Sequence, residues 1–142
     1  MTEVLFYTQA ANRLKTVCQI SAKALTQNRR VLILTPGAAA TDEISRMLWT
    51  SPAIGFSPHC RCADRLAAVT PIIVDHQTEP WVHDDVLINL CDDTPACFSR
   101  FHRLVEVVGP NESERSSARE RYKFYRDRGY DIRTHALGKS GS

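Results

Sequence analysis

Four side chains in the last third of the sequence have the types and spacing to hold an anion. Arg115, Arg119, Tyr122 and Arg126 recur at intervals of 4, 3 and 4. On an α-helix, at about 100° per residue, they fall within roughly a 60° arc. Guanidinium forks match carboxylates bidentately, and such charge-assisted hydrogen bonds are about twice as strong as neutral ones. Tyr122 adds a flat apolar surface among the three cations. The pattern suits capture of an acidic peptide or a terminal carboxylate. It equally describes a solvated helix face, with Glu112, Glu114, Glu120 and Asp127 screening the charge.

Other chemistries have weaker support. The loop Thr35-Pro36-Gly37-Ala38-Ala39-Ala40-Thr41 holds one glycine and a proline, whereas a dinucleotide fingerprint needs three spaced glycines for backbone approach to a pyrophosphate. Gly138-Lys139-Ser140 has Arg133 where a phosphate loop would begin, and no helix follows it. No cofactor is therefore expected. His59-Cys60-Arg61-Cys62 could begin a metal site, but Cys-x-Cys is not the usual zinc knuckle, and Cys91 and Cys97 are six apart. Free thiols are the expectation, with Cys60 and Cys62 the more exposed and Cys18 on an apolar helix face. Asp84-Asp85 and Asp92-Asp93 are neighbours in sequence, which on a strand sends the two carboxylates to opposite faces. Asp92-Asp93 follows a strand, where α/β proteins hold ligands, but it also reads as a cap ahead of Pro95. His76, His83 and His102 have no matched nucleophile.

The elements that must position the arginines follow from periodicity. Val4–Tyr7, Val31–Leu34, Pro71–Val74, Val86–Leu90 and Arg103–Val108 are short apolar runs that read as strands. Continuous runs such as Val31-Leu32-Ile33-Leu34 are expected where both faces of a parallel sheet are covered. Ala11–Gln27 carries Leu14, Val17, Cys18, Ala22 and Leu25 at helical spacing. A second helix is expected from about Ala39 to Trp49, stopped by Ser51-Pro52, and a short one over Pro95–Phe101. Residues 53–68 read as irregular and 75–85 as a polar loop. Gly109-Pro110-Asn111 is a turn, and Ser113–Arg128 is the strongest helix, stopped by Gly129. Tyr130–His135 reads as a last strand. Strands alternating with helices indicate an α/β, three-layer, Rossmann-like domain with a mostly parallel central sheet flanked by helices. One domain is expected over residues 1–136, with 137–142 a frayed tail.

Composition restricts the partners. At 43% hydrophobic and 24% charged, the chain has the balance of an ordinary globular domain. Residues 1–112 hold 10 Lys/Arg and 12 Asp/Glu, a balance of −2, and residues 113–142 hold 8 and 4, a balance of +4; together they give the net +2. The basic end points to an anionic partner. A pI of about 8.3 falls short of the value above 9 expected of a nucleic-acid-binding domain. No stretch approaches the ~20 apolar residues of a membrane span, and no secretory signal is visible. With five cysteines, an odd number, a reducing cytoplasmic location is expected.

Several stretches carry a family resemblance. Ala118-Arg119-Glu120-Arg121-Tyr122-Lys123-Phe124-Tyr125-Arg126 followed by Gly129-Tyr130 resembles the C-terminal signature of the chi subunit of bacterial DNA polymerase III. Phe6-Tyr7, Leu48-Trp49 with Phe56-Ser57-Pro58-His59, and Asp85–Leu90 are similar to further parts of that family, in the same order across nearly the whole chain. The resemblance implies a Rossmann-like fold without a nucleotide, no catalysis by the chain itself, and an accessory place in the clamp-loader assembly of a DNA-directed DNA polymerase. It implies two partners: the acidic C-terminal tail of single-stranded DNA-binding protein, with indirect contact to single-stranded DNA, and the psi subunit. Arg119 matches the arginine that would pair with the tail's terminal carboxylate. Trp49 and Tyr122 would wall a slot for the tail's last phenylalanine, and Arg115 and Arg126 would meet its aspartates. Phe56, Pro58 and His59 match the psi-facing loop. The turn at Gly109 is shorter than in familiar members, which changes one wall of the pocket. The cysteine cluster has no counterpart there.

Overall fold

The computed structural model describes residues 2–50, 59–60, 71–76, 84–95 and 98–136, and at 49–50 and 59–60 the main chain alone. Phe56, Pro58, Cys62 and the expected frayed tail at 137–142 lie outside the described residues, as does most of the segment read as irregular. Among the described residues the order is β1 (Glu3–Thr8), α1 (Arg13–Thr26), β2 (Val31–Leu34), α2 (Ala38–Thr50), β3 (His59–Cys60), β4 (Ile72–Asp75), β5 (Val86–Asn89), a 3-10 turn (Phe98–Arg100), β6 (Arg103–Val107), α3 (Glu112–Asp127) and β7 (Ile132–Ala136). The seven strands form one sheet in the order β3-β4-β2-β5-β6-β1-β7. Every pairing is parallel, so the sheet is more uniform than the expected mostly parallel one.

The apolar runs explain the layers. β2, β4 and β5 are buried at every residue, and successive side chains point to opposite faces. Val31, Ile33, Ile72, Val74, Val86 and Ile88 pack with Val17 and Cys18 of α1 and Ile44 and Leu48 of α2. Leu32, Leu34, Ile73 and Leu87 join Val4, Phe6 and Leu104 under Ala118 and Tyr125 of α3 and Phe98 of the 3-10 turn. Helices α1 and α2 thus cover one face and α3 the other. Each fully buried Ile or Leu contributes about 1.5–3 kcal/mol relative to exposure. Burial also pushes the Cys18 thiol up to about 11.

Caps set the ends of the two longest helices. The Asn12 side chain accepts from Lys15 N at 3.1 Å, opening α1. The Asn111 side chain accepts from Ser113 N at 2.7 Å, opening α3, and Glu112 and Glu114 place negative charge at its positive end. Gly129, at φ +82°, ends it in the left-handed region where glycine carries no steric penalty. No described helix is long and apolar enough to cross a membrane.

Candidate functional site

A groove of about 310 Å³ opens where α3 meets the carboxyl ends of β1, β6 and β7. Phe6, Thr8 and Gln9 come from β1 and the bend after it, Val108 and Gly109 from the turn after β6, and Thr134 from β7. Arg115, Ala118, Arg119 and Tyr122 come from α3. The small side chain of Ala118, buried at the helix–sheet contact, leaves the floor low. Tyr122 is held at its edge by Phe6, whose buried ring lies 5.4 Å away at 56°. Tyr122 is the exposed large apolar residue of the described chain. The groove therefore offers two guanidinium groups beside an apolar slot.

Its turn wall is clamped. Gly109 N donates to Glu114 Oε2 at 2.9 Å, and Arg13 lies 3.9 Å from the other oxygen of Glu114. A Cβ at position 109 would meet the end of the Glu114 side chain and push its carboxylate off this hydrogen bond. Gln9 turns the chain away from β1 in the left-handed region, at φ 56°.

The groove's cations are engaged by an internal carboxylate. Arg119 Nη2 donates to Glu112 Oε1 at 2.7 Å, and Arg115 Nη1 lies 3.8 Å from Glu112 Oε2. The hydrogen bond and charge of Arg119 hold the Glu112 carboxyl below its usual range, with Arg115 adding to the effect. Arg126 sits one turn past Tyr122, outside the groove lining, with its Nη2 3.5 Å from Asp127.

The opposite face of α3 carries a buried polar cluster. Glu106, on β6, accepts from Arg121 Nε at 3.0 Å, from Tyr125 OH at 2.6 Å, and from Asn89 Nδ2 at 3.2 and 3.1 Å. Arg121 Nη1 also donates to the Asp92 carbonyl and to Ser117 Oγ, each at 2.7 Å. Burial pushes the Glu106 carboxyl up, opposed chiefly by Arg121 and then by Tyr125 and Asn89. Burial and the neighbouring Glu106 charge push the Tyr125 phenol above its ordinary value, which keeps its proton on the donor side of the bond. These side chains fill the carboxyl ends of β5 and β6, the region where open α/β sheets hold ligands. Sequence spacing does not nominate Glu106 or Asn89. Their signal is a lone carboxylate and a lone amide at the ends of otherwise apolar strands.

The remaining expected residues are scattered. Trp49 belongs to the last turn of α2, in the layer on the opposite face of the sheet from α3. The main chain of His59 and Cys60 forms β3, at the edge of the sheet farthest from the groove. Cys18 is a buried free thiol and Cys91 a half-buried one. The Asp92 and Asp93 side chains are exposed, and their carbonyls serve as acceptors for Arg121 and Asn89. Asp84, Asp85 and His102 bring donor atoms within 4.8 Å of one another at the amino ends of β5 and β6, the end of the sheet remote from the groove.

The sequence is matched over residues 1–133 by the family model for the DNA polymerase III chi subunit, HolC. A protein of Pseudomonas aeruginosa named DNA polymerase III subunit chi is 30% identical over 141 residues, covering 96% of this chain and 98% of that protein. The similarly named Escherichia coli protein is 30% identical over 119 residues, covering 83% and 81%. That of Haemophilus influenzae is 28% identical over 127 residues, covering 85% of each. With its α/β fold and near-full-length match, the chain belongs to the DNA polymerase III chi subunit family.

Proposed function

We propose that the protein is a non-catalytic adaptor of DNA polymerase III in DNA replication, binding the acidic C-terminal tail of single-stranded DNA-binding protein in the α3 groove and the psi subunit at another surface. The observation that carries this reading is the convergence of Arg115, Arg119 and Tyr122 on one groove. Arg119 would receive the tail's terminal carboxylate. The slot among Phe6, Ala118 and Tyr122 would take its last aromatic side chain. Phe6 and Tyr122 line this slot; the side chain of Trp49, the other residue assigned to it, lies outside the described residues. Arg115 and Arg126 would meet upstream aspartates. The eleven residue steps from one to the other span about 16 Å of helix, which about five extended residues would match.

The psi contact is assigned to Phe56, Pro58 and His59. The groove is walled by β7 at one sheet edge and β3 carries His59 at the other. At about 4.8 Å per strand, six steps separate these edges by roughly 29 Å. Two partners could then be held at once, as linking a clamp loader to coated single-stranded DNA requires.

Fluorescence anisotropy with a labelled acidic tail peptide tests the groove. Arg119→Ala is expected to weaken binding at least tenfold, about 1.4 kcal/mol, with an unchanged circular dichroism spectrum; unchanged binding would sink the assignment. Added salt should weaken the wild-type complex. A titration with single-stranded DNA, with and without the single-stranded DNA-binding protein, separates the adaptor from a direct nucleic-acid binder. Phe56→Ala should lower psi binding and leave tail binding alone.

A further inference from the structure

We propose that Glu112 is a built-in competitor for the groove, occupying its arginines until an incoming carboxylate displaces it. The inference rests on the reading of the groove as a carboxylate-binding site. It starts from reach. Glu112 and Arg119 are seven residues apart, two helical turns, which brings them onto the same side of α3. The side chains span that gap and meet at 2.7 Å. The second carboxylate oxygen faces Arg115 at 3.8 Å. One internal carboxylate thus engages both groove arginines, in the manner expected of a ligand carboxylate. All three side chains are more than half exposed, so nothing locks the arrangement in place. Exposed pairs of this kind are weak and exchange readily.

The arrangement has a consequence for selectivity. A ligand offering one carboxylate replaces Glu112 like for like and gains little from Arg119. A ligand with several carboxylates frees Glu112 and also uses Arg115 and Arg126, and an aromatic side chain adds the slot beside Tyr122. Glu112 therefore raises the threshold for singly charged anions and favours an extended, multiply acidic peptide with an apolar end.

The test uses the full chain and a labelled peptide carrying three aspartates and a C-terminal phenylalanine with a free carboxylate. Four single variants and one double variant are compared with the wild type by anisotropy at low salt. Glu112→Gln removes the competing charge. Glu112→Asp keeps a charge at the helix start and shortens the reach to Arg119. Glu120→Gln removes an exposed charge of α3 that does not line the groove. Arg119→Ala removes the contested cation. Glu112→Gln and Glu112→Asp are each expected to tighten binding three- to tenfold, and Glu120→Gln to change it less than twofold. Combining Glu112→Gln with Arg119→Ala should abolish the gain. Equal tightening by Glu112→Gln and Glu120→Gln, or tightening by Gln but not Asp, would mean a general charge effect and overturn the competitor. Weaker binding by Glu112→Gln would overturn it too, because Glu112 would then be orienting Arg119 for the ligand. If Arg119→Ala alone leaves binding unchanged, the groove assignment itself fails, a result separate from any of these.

Discussion

Two of the arginine–glutamate pairs made by helix α3 differ in almost every physical respect. Arg121 and Glu106 are 4% and 0% exposed, and their charges are met by Tyr125, Asn89, Ser117 and a main-chain carbonyl. Arg119 and Glu112 are 60% and 71% exposed, and meet on the surface of the helix. The first pair holds α3 to the sheet: its partners lie on β5, β6 and the segment after β5. The second leaves its arginine available. Desolvation makes the difference. A buried charge that loses its partner has no water to turn to, whereas an exposed one does. One helix can therefore be fixed in place on one face and open to exchange on the other.

The largest expected effect breaks the buried side. Arg121→Ala should cost about 3–5 kcal/mol in urea denaturation, because it strands the Glu106 carboxylate. The double change Glu106→Leu with Arg121→Met should recover only part of that loss: apolar replacement of a buried pair is often near neutral, but Tyr125 and Asn89 lose an acceptor. A single-variant cost below about 1 kcal/mol would erase the contrast, for that is the range of an exposed pair. Next comes the exposed side. Arg119→Ala should change folding stability by less than about 0.5 kcal/mol, as surface substitutions usually do, while lowering tail-peptide affinity at least tenfold. Gly109→Ala should cost on the order of 1 kcal/mol in thermal unfolding, because the new methyl group displaces Glu114 from its hydrogen bond.

The smallest effect sharpens the comparison through pH. The Tyr125 phenol is raised above its ordinary 10.0, so the folded chain keeps a proton that the unfolded chain releases. Stability should fall as pH rises past 10, and Tyr125→Phe should flatten that decline, whatever it does to the baseline. Cys18, at about 11 against an ordinary 9.0, acts in the same direction from pH 9 upward. Glu112 has the opposite sign. Its carboxyl is lowered from 4.5, so its contribution is present above that value and fades as pH falls. Thermal melts across pH 3–11 read both limbs.

Much of the fold is legible in the residues, and the reason is local. Val31–Leu34 is a strand at the expected bounds because an uninterrupted apolar run of four has few alternatives between two helices. Ser113–Arg128 differs from the observed Glu112–Asp127 by one residue at each end, because Asn111 caps and Gly129 stops. The short helix expected over Pro95–Phe101 survives in the described residues only as a 3-10 turn. On the groove, the spacing puts Arg115, Arg119 and Tyr122 on one arc, and the fold supplies what spacing cannot: the strand ends and the turn that face them. Arg121 is the instructive miss. It lies about 200° around the helix from Arg119, so its separate fate was readable. Its partner Glu106 was not, because nothing local joins a lone acid on a strand to one cation among several, fifteen residues on.

The strand pairing has a consequence for the life of the chain. β1 hydrogen-bonds with β6 and β7 alone among the described strands, so its partners are made about a hundred residues after it. Contacts so distant in sequence form late, and the waiting strand is exposed to misassembly. The groove draws on residues 6–9 and on 108–134 together. β7 supplies Thr134 to its wall and pairs with β1, which carries Phe6 and Thr8. The groove is therefore assembled from both ends of the described chain, and its geometry depends on a pairing that spans almost its whole length.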